Sequence, residues 1–170
     1  MQVGDVFTFI SRIENMTFAE SLKFLAERAN IKLPENRDFD NPQNRMKEKM
    51  YAIYTDSTIF YHERLYKPLA KIAQDYVKKR KLNNETLKQF KIGYSGEWDE
   101  LYKFLKNKGY SDKEIEMTQL CSKGKNGKYY DFFRKRLMFP VMNLSGKVMA
   151  FGGRKLVEEN ENDPKYLNSR

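Results

Sequence analysis

The chain has 170 residues, with 32 Lys or Arg against 23 Asp or Glu, so its formal net charge is +9 at pH 7. Aromatic residues make up 14% of the sequence, which favours a packed core over a disordered chain. A single cysteine, Cys121, excludes an internal disulfide and a zinc site of several thiolates, and one histidine, His62, leaves almost nothing for histidine-based catalysis. No apolar run approaches the roughly 18 residues of a membrane span, and the first residues lack the features of a signal peptide. We therefore expect a soluble intracellular protein that is attracted to an acidic partner.

The positive charge lies almost entirely after the first 45 residues. Residues 1–45 carry 6 basic and 7 acidic side chains, residues 46–109 carry 14 and 8, and residues 110–170 carry 12 and 8. The densest basic stretch is Lys123 to Arg136, where Asp131 is the only acid. Clustered positive charge gathers phosphate backbones, although a solvated lysine surface has the same composition.

The first predicted elements in chain order are two short amphipathic helices within residues 1–33. Their apolar residues recur with helical spacing, from Val6 to Ile13 and from Phe18 to Ala29. Thr17 and Glu20 form a T-x-x-E capping box before the second helix. Residues 34–43 (PENRDFDNPQ) contain two prolines and no periodicity, so they predict a linker. We expect residues 1–33 to be the tail of a preceding domain, residues 34–45 a linker, and residues 46–170 the main domain.

The middle of the chain predicts several helices. One runs to about Tyr66 and is interrupted at Pro68, and the next places Leu69, Ile72, Ala73 and Tyr76 inward. Asn83 or Asn84 is expected to cap a further helix, and Lys91–Tyr94 predicts a brief strand. The next helix runs from Trp98 to Leu105 and stops at Gly109. Ser111 and Glu114 form a second capping box.

After Cys121 the pattern becomes strand-like. Strands are predicted at Tyr129–Phe133, Leu137–Met142 and Lys147–Phe151, with a hairpin loop at Asn143–Gly146 and a break at Gly152-Gly153. Helices first and an antiparallel sheet later predict an α+β fold.

Three stretches combine charge with a shape that suits phosphate. Strand alternation places Arg134 and Arg136 on one solvent-facing side, where two guanidinium groups would form a fork for phosphate oxygens, or else simply a solvated edge. Paired glycines before Arg154 allow close approach of a phosphate, or mark a bulge. Lys165, Tyr166 and Asn168 combine a cation, a ring for base stacking and an amide, although a buried tyrosine with polar neighbours fits the same pattern.

Other conspicuous residues favour structural roles. The run Lys78–Lys81 complements a helix C-terminus, Cys121 fits a small core position, His62 a helix surface and Trp98 the core. No D-x-D or close glutamate pair suitable for two metal ions occurs, so no catalytic centre is predicted.

Taken together, these stretches resemble the bacterial replicative DNA primases of the DnaG family. The resemblance covers essentially the whole chain in the family's order and is most specific in the last 40 residues. The segments that carry it are GDVFTFI (4–10), MTFAES (16–21), LAERA (25–29), YVKKR (76–80), FKIGY (90–94), FRKRLMFPV (133–141), GKVMAFGGR (146–154) and PKYLNS (164–169). Two positions depart from the family pattern: Lys81 stands where glycine is common, and Arg170 where proline is usual.

The resemblance implies the N-terminal subdomain of the primase RNA polymerase domain, preceded by the helices that follow the zinc-binding domain. The full protein would make RNA primers from NTPs on single-stranded DNA, in the bacterial cytoplasm at the nucleoid and its replication forks. Zinc, the magnesium of the TOPRIM subdomain and the replicative helicase would bind domains outside this sequence, so the chain alone is expected to be inactive. The residues expected to contact phosphate or template are Arg80, Arg134, Arg136, Arg154, Lys165, Tyr166 and Asn168.

Two other classes of function remain compatible with the residues. One is a stand-alone, non-enzymatic protein that binds single-stranded nucleic acid, and the other is a helical protein-interaction module whose charge is irrelevant to binding.

Overall fold

A computed structural model describes residues 5–14, 16–33, 42–143, 145–157 and 163–169. The helices are α1 (Val6–Ile13), α2 (Phe18–Arg28), α3 (Pro42–Leu65), α4 (Lys71–Lys79), α5 (Asn84–Gln89), α6 (Glu100–Asn107) and α7 (Asp112–Met117), with a 3-10 turn at Pro68–Ala70 before α4. The strands are β1 (Gly93–Tyr94), β2 (Cys121–Lys123), β3 (Tyr129–Asp131), β4 (Arg136–Met142), β5 (Val148–Lys155) and β6 (Tyr166–Asn168). Seven helices with antiparallel strands confirm the predicted α+β class within these residues.

Side-chain caps begin α2, α5 and α7 where the sequence predicts. Both capping boxes are present, with the Thr17 and Ser111 hydroxyls accepting from the backbone three residues ahead. Asn83 caps α5 by accepting a hydrogen bond from the Thr86 N–H at 2.8 Å. These side chains satisfy backbone donors that the first turn of a helix leaves without partners.

The strands form a four-stranded antiparallel sheet in the order β1-β4-β5-β6 and a separate β2–β3 hairpin. The predicted break at Gly152-Gly153 is wrong, because β5 continues through both glycines to Lys155 and pairs with β4 along that length. Strands β2 and β6 carry no clear alternation signal and form through their pairing with β3 and β5.

Two hydrophobic clusters cover opposite faces of the sheet. Met138 faces the larger cluster, which joins the sheet to α3, α6 and α7, whereas its neighbour Leu137 faces the smaller cluster beneath α4 and α5. The inward face predicted for α4 is partly wrong, because Leu69 and Ile72 are exposed. Ala73 and Val77 are the buried residues of that helix.

Helices α1 and α2 pack on each other and contact the main domain through charge. The Phe7 and Phe18 rings are 5.6 Å apart, and Lys47 of α3 lies 2.7 Å from Glu20 of α2. The predicted linker is wrong at its end, since residues 42–45 belong to the first turn of α3. Residues 34–41 lie outside the described residues. Among the described helices, none combines the length and apolar character needed to cross a membrane.

Candidate nucleic-acid interface

A cluster of two arginines and two tyrosines joins α4 to the sheet. We call Tyr76, Arg80, Arg154 and Tyr166 the arginine–tyrosine cluster. The Arg80 Nε donates to the Tyr76 hydroxyl at 2.9 Å, and its guanidinium carbon lies 5.4 Å from the Tyr76 ring centroid. The Arg154 guanidinium carbon lies 4.9 Å from the Tyr76 centroid and 5.1 Å from the Tyr166 centroid. Two cations are therefore held in fixed positions by aromatic faces.

Strand register brings Arg154 and Tyr166 together. The two residues are direct partners on β5 and β6, and Arg154 donates a hydrogen bond to the Tyr166 hydroxyl. The Arg154 Nε is buried and has no hydrogen-bond partner among the described residues. A buried donor without an acceptor is costly. A guanidinium group of this kind binds phosphate oxygens through its accessible nitrogens, whereas the Nε of Arg154 itself faces the protein interior.

The two glycines before Arg154 have different roles. A Cβ on Gly153 would come within 2.6 Å of the Phe133 ring, so this glycine is required by core packing. A Cβ on Gly152 would have as its nearest neighbour the Asn168 Oδ1 at 3.4 Å, so the opposite face of β5 is open there. Asn168, Gly152, Arg154 and Tyr166 share that open face because of the strand register. The close approach predicted for the glycine pair thus has room at Gly152 alone.

Arg134 lies in a second aromatic setting near the β2–β3 hairpin. Its guanidinium carbon is 5.3 Å from the Trp98 ring centroid and 5.5 Å from that of Tyr130. The core placement predicted for Trp98 is wrong, since its side chain is 66% exposed. We call these three residues, with the exposed Lys125 and Lys128 of the hairpin loop, the hairpin patch. Exposed rings and cations of this kind can stack bases and contact phosphates.

The solvent-facing position expected for Arg136 is wrong. Its side chain is only 2% exposed, and its guanidinium bonds to Asp163 and to two backbone carbonyls. The reason is the backbone at Lys135, whose φ of +52° interrupts the alternation that would place Arg134 and Arg136 on the same side. Arg134 precedes β4, whereas Arg136 is its first residue.

The remaining predicted residues flank the arginine–tyrosine cluster. Arg80 is the C-cap of α4, and Lys81 follows with a left-handed φ of +56°. Lys165 and Asn168 are exposed at either side of Tyr166, and the Lys165 carbonyl accepts from the Lys155 N–H at 2.9 Å. The structure therefore gathers Arg80, Arg154, Lys165, Tyr166 and Asn168. Arg134 lies apart from them near the hairpin, and Arg136 is buried on the opposite face of the sheet from Arg154.

Tyr76 belongs to the arginine–tyrosine cluster, although its position in the sequence predicted a core residue. Its ring is half-buried and contacts both Arg80 and Arg154. The i, i+4 spacing of Tyr76 and Arg80 on one helix is the signal that could have identified it. Trp98 has no equivalent local signal, because the arginine that it contacts is distant in sequence.

The buried titratable groups serve the fold. Cys121 is buried, as predicted, and burial raises the pKa of its thiol. The Nδ1 of the half-buried His62 lies 2.8 Å from the Ile92 carbonyl oxygen. Asp131 accepts hydrogen bonds from the Leu101 and Tyr102 N–H groups at 2.8 and 3.0 Å. In the described ranges no three His, Cys, Asp or Glu side chains are grouped as metal ligands would be, so these residues do not fit a metal centre.

Comparison with known proteins identifies the class. Residues 60–170 match the family model of the N-terminal domain of the DNA primase catalytic core. The DNA primase of Clostridium acetobutylicum is 35% identical over 170 residues, which are 99% of this chain and 28% of that protein. The chain thus spans less than a third of the length of this relative.

Two solved structures share the fold. A DnaG primase catalytic domain bound to single-stranded DNA is 32% identical, with a TM-score of 0.65, covering 74% of this chain and 40% of the other. The zinc-binding and RNA polymerase domains of the Aquifex aeolicus primase are 30% identical, with a TM-score of 0.66, covering 98% of this chain and 39% of the other. The chain belongs to the N-terminal domain family of the DNA primase catalytic core.

Proposed function

We propose that this chain is the template-holding part of a bacterial replicative primase, whose complete protein synthesises RNA primers from NTPs on single-stranded DNA. The observation that carries the proposal is the arginine–tyrosine cluster beside the open face at Gly152. Its cations would contact phosphates, its exposed Tyr166 ring would stack a base, and Asn168 and Lys165 would extend the track along β6. A DnaG relative with this fold was solved bound to single-stranded DNA, which supports the same ligand here.

The hairpin patch would extend this contact. The rings of Trp98 and Tyr130 hold Arg134 in place, and Trp98 is largely exposed. The hairpin patch could therefore bind a phosphate and stack a base of a single-stranded DNA that extends beyond the arginine–tyrosine cluster. We do not assign a direct phosphate contact to Arg136, because its guanidinium is buried and bonded within the protein.

The chemistry of primer synthesis would lie elsewhere in the whole protein. Magnesium-assisted nucleotidyl transfer is assigned to a TOPRIM subdomain, zinc to an upstream domain, and helicase contact to a C-terminal domain. These residues would hold the template, and the RNA–DNA hybrid or an NTP phosphate, beside that active centre. We predict that the 170-residue chain alone is inactive in a primer-synthesis assay. Template-dependent product from it would contradict the assignment of catalysis to another domain.

A titration of labelled oligo(dT) of about 20 nucleotides by fluorescence anisotropy tests the binding. We expect the logarithm of affinity to fall with the logarithm of salt concentration by about 0.7 per phosphate contact between about 50 and about 200 mM salt. Arg154→Ala should weaken binding about ten-fold and reduce the slope, since it removes one charged contact.

Arg28→Ala is the matched control. Arg28 is an exposed arginine at the end of α2, in the segment without excess positive charge, so its loss should leave the affinity close to wild type. Salt-independent binding, or equal effects of Arg28→Ala and Arg154→Ala, would contradict the proposed interface.

A further inference from the structure

Arg136 connects the residues directly before β6 to strands β4 and β5 through hydrogen bonds and an ion pair. We propose that Arg136 is a positioning residue, which acts through Asp163 and Pro164 to place Tyr166 beside Arg154. This inference rests on the proposed function, because it concerns how the same DNA-binding face is held in shape.

The contacts of Arg136 reach three separate parts of the chain. Its Nη1 donates to the Gly153 carbonyl on β5 at 3.2 Å and to the Pro164 carbonyl at 2.9 Å, and its Nη2 lies 2.6 Å from the Asp163 Oδ1. The Arg136 backbone is itself fixed, since its N–H donates to the Ser95 hydroxyl at 2.9 Å. A guanidinium group can make these bonds at once because its donors form a rigid planar fork.

The two partners of the ion pair differ in exposure. The Arg136 side chain is 2% exposed, whereas that of Asp163 is 46% exposed. The arginine is therefore the anchored member, and Asp163 and Pro164 are the residues that it holds. Gly153 makes room for this arrangement, because a Cβ there would lie 3.1 Å from the Arg136 Cδ.

Strand β6 depends on contacts at both of its ends. It has three residues and lies at the edge of the sheet, so its pairing with β5 alone is weak. After the strand, Ser169 donates its N–H to the Phe151 carbonyl and accepts the Phe151 N–H through its hydroxyl, both at 2.9 Å. Before the strand, Arg136 makes the corresponding anchor at Asp163 and Pro164.

Tyr166 follows this anchor by two residues and faces Arg154 in the register of the two strands. Loss of the anchor would let the beginning of β6 separate from β5. The Tyr166 ring would then leave the guanidinium of Arg154. DNA affinity would fall although no residue that touches DNA had changed.

The sign of the effect of Asp163→Ala distinguishes positioning from simple electrostatics. Removal of an acid from a basic surface should leave oligo(dT) affinity unchanged or raise it by up to about five-fold. Positioning predicts the opposite, a loss of about ten-fold, with recovery to within about two-fold in Asp163→Glu. Asp75→Ala is the control, since Asp75 is an exposed acid on α4 directly before Tyr76.

Hydrogen exchange of the 170-residue chain provides the second measurement. In Asp163→Ala we expect faster exchange in peptides that cover residues 163–169 and unchanged exchange in β4. Arg136→Lys keeps the positive charge but loses the planar set of guanidinium donors. It should therefore also weaken oligo(dT) binding and speed hydrogen exchange in residues 163–169. If Asp163→Ala fails to fold, Arg136→Lys and its exchange pattern decide the question alone.

The outcomes separate this inference from the proposed function. If wild type binds oligo(dT) and Arg154→Ala weakens it, but Asp163→Ala and Arg136→Lys bind as wild type, the positioning role is wrong and the interface stands. Tighter binding by Asp163→Ala would be the electrostatic effect of removing an acid from a basic surface, and it too would overturn the positioning role. If wild type itself does not bind, the proposed function fails first.

Discussion

Arg154 and Tyr166 face each other across β5 and β6, with the guanidinium carbon 5.1 Å from the ring centroid and a hydrogen bond to the phenol oxygen. Tyr166 is 59% exposed despite these contacts, so one face of its ring remains available. A residue pair of this kind offers a charge for phosphate and a flat surface for a base at one place.

Tyr166→Ala should weaken oligo(dT) binding by about 1–3 kcal/mol, because base stacking on the ring is lost. Tyr166→Phe keeps the ring and loses only the hydroxyl that accepts from Arg154, so its affinity should stay much closer to wild type. Anisotropy titrations of both variants at one salt concentration measure the difference. Equal losses in the two variants would assign the effect to the hydroxyl.

Arg134→Ala and Arg136→Ala should affect different properties. Arg134 is exposed, so its loss should weaken oligo(dT) binding and leave the melting temperature within about 2 °C of wild type. Arg136→Ala removes a buried guanidinium together with its bonds to the Gly153 and Pro164 carbonyls, and should cost about 2–4 kcal/mol of unfolding free energy. That cost corresponds to a melting temperature lower by about 5–15 °C in a scanning experiment. A normal melting temperature for Arg136→Ala would refute its structural role.

Lys81→Gly should stabilise the protein slightly. Lys81 holds a φ of +56° directly after α4, a conformation that costs a residue with a Cβ about 1–2 kcal/mol. Glycine removes this conformational cost, but it loses about 0.5–1 kcal/mol more backbone entropy on folding than lysine does. The free energy of unfolding measured with urea should therefore rise by about 0.5 kcal/mol. Lys79→Gly, inside the same helix, removes the same charge and should lower stability. Destabilisation by both changes would contradict the strain at Lys81.

Asp131 should make stability depend on pH between about 4 and 6. Burial raises the pKa of its carboxyl from 3.8 to about 6, and the two N–H donors of α6 only partly oppose this. Between these pH values the folded protein holds a proton that the unfolded chain has released, so this carboxyl makes stability fall as pH rises.

The comparison with Asp131→Asn isolates this contribution, since the amide cannot titrate and other groups titrate alike in both proteins. The unfolding free energy of wild type minus that of Asp131→Asn should be larger at pH 4 than at pH 7 by about 1–3 kcal/mol. Urea unfolding at the two pH values measures it. A difference that does not vary with pH would show that Asp131 has an ordinary pKa.

Limited proteolysis tests the proposed domain boundary. Trypsin should cut first at Arg37, within the proline-containing stretch 34–41, and yield a stable product that begins near α3. The ion pair between Glu20 and Lys47 is partly exposed and should hold the two pieces together only weakly. Early cleavage within α3 or α4, with 34–41 intact, would overturn the boundary.

The sequence by itself determined the features that depend on neighbours three or four residues away. The capping boxes at Thr17 and Ser111, the Asn83 cap and the hairpin loop after β4 all follow from local hydrogen bonds that short segments can form alone. The basic surplus after residue 45 and the resemblance to primases likewise come from composition and linear motifs. These features predicted the α+β class, the family and the kind of ligand.

Only the tertiary structure decided where each arginine lies and what it contacts. A left-handed backbone at Lys135 separates Arg134 from Arg136, and strand alternation could not reveal it because lysine does not signal that conformation. Arg154 reaches the rings of Tyr76 and Tyr166 through sheet register and helix packing, which bring together residues that are distant in the chain. Such contacts arise when whole faces of helices and strands are buried against each other. They do not follow from the conformational preferences of neighbouring residues. For that reason the burial of Arg136 and the exposure of Trp98 became visible only in the folded protein.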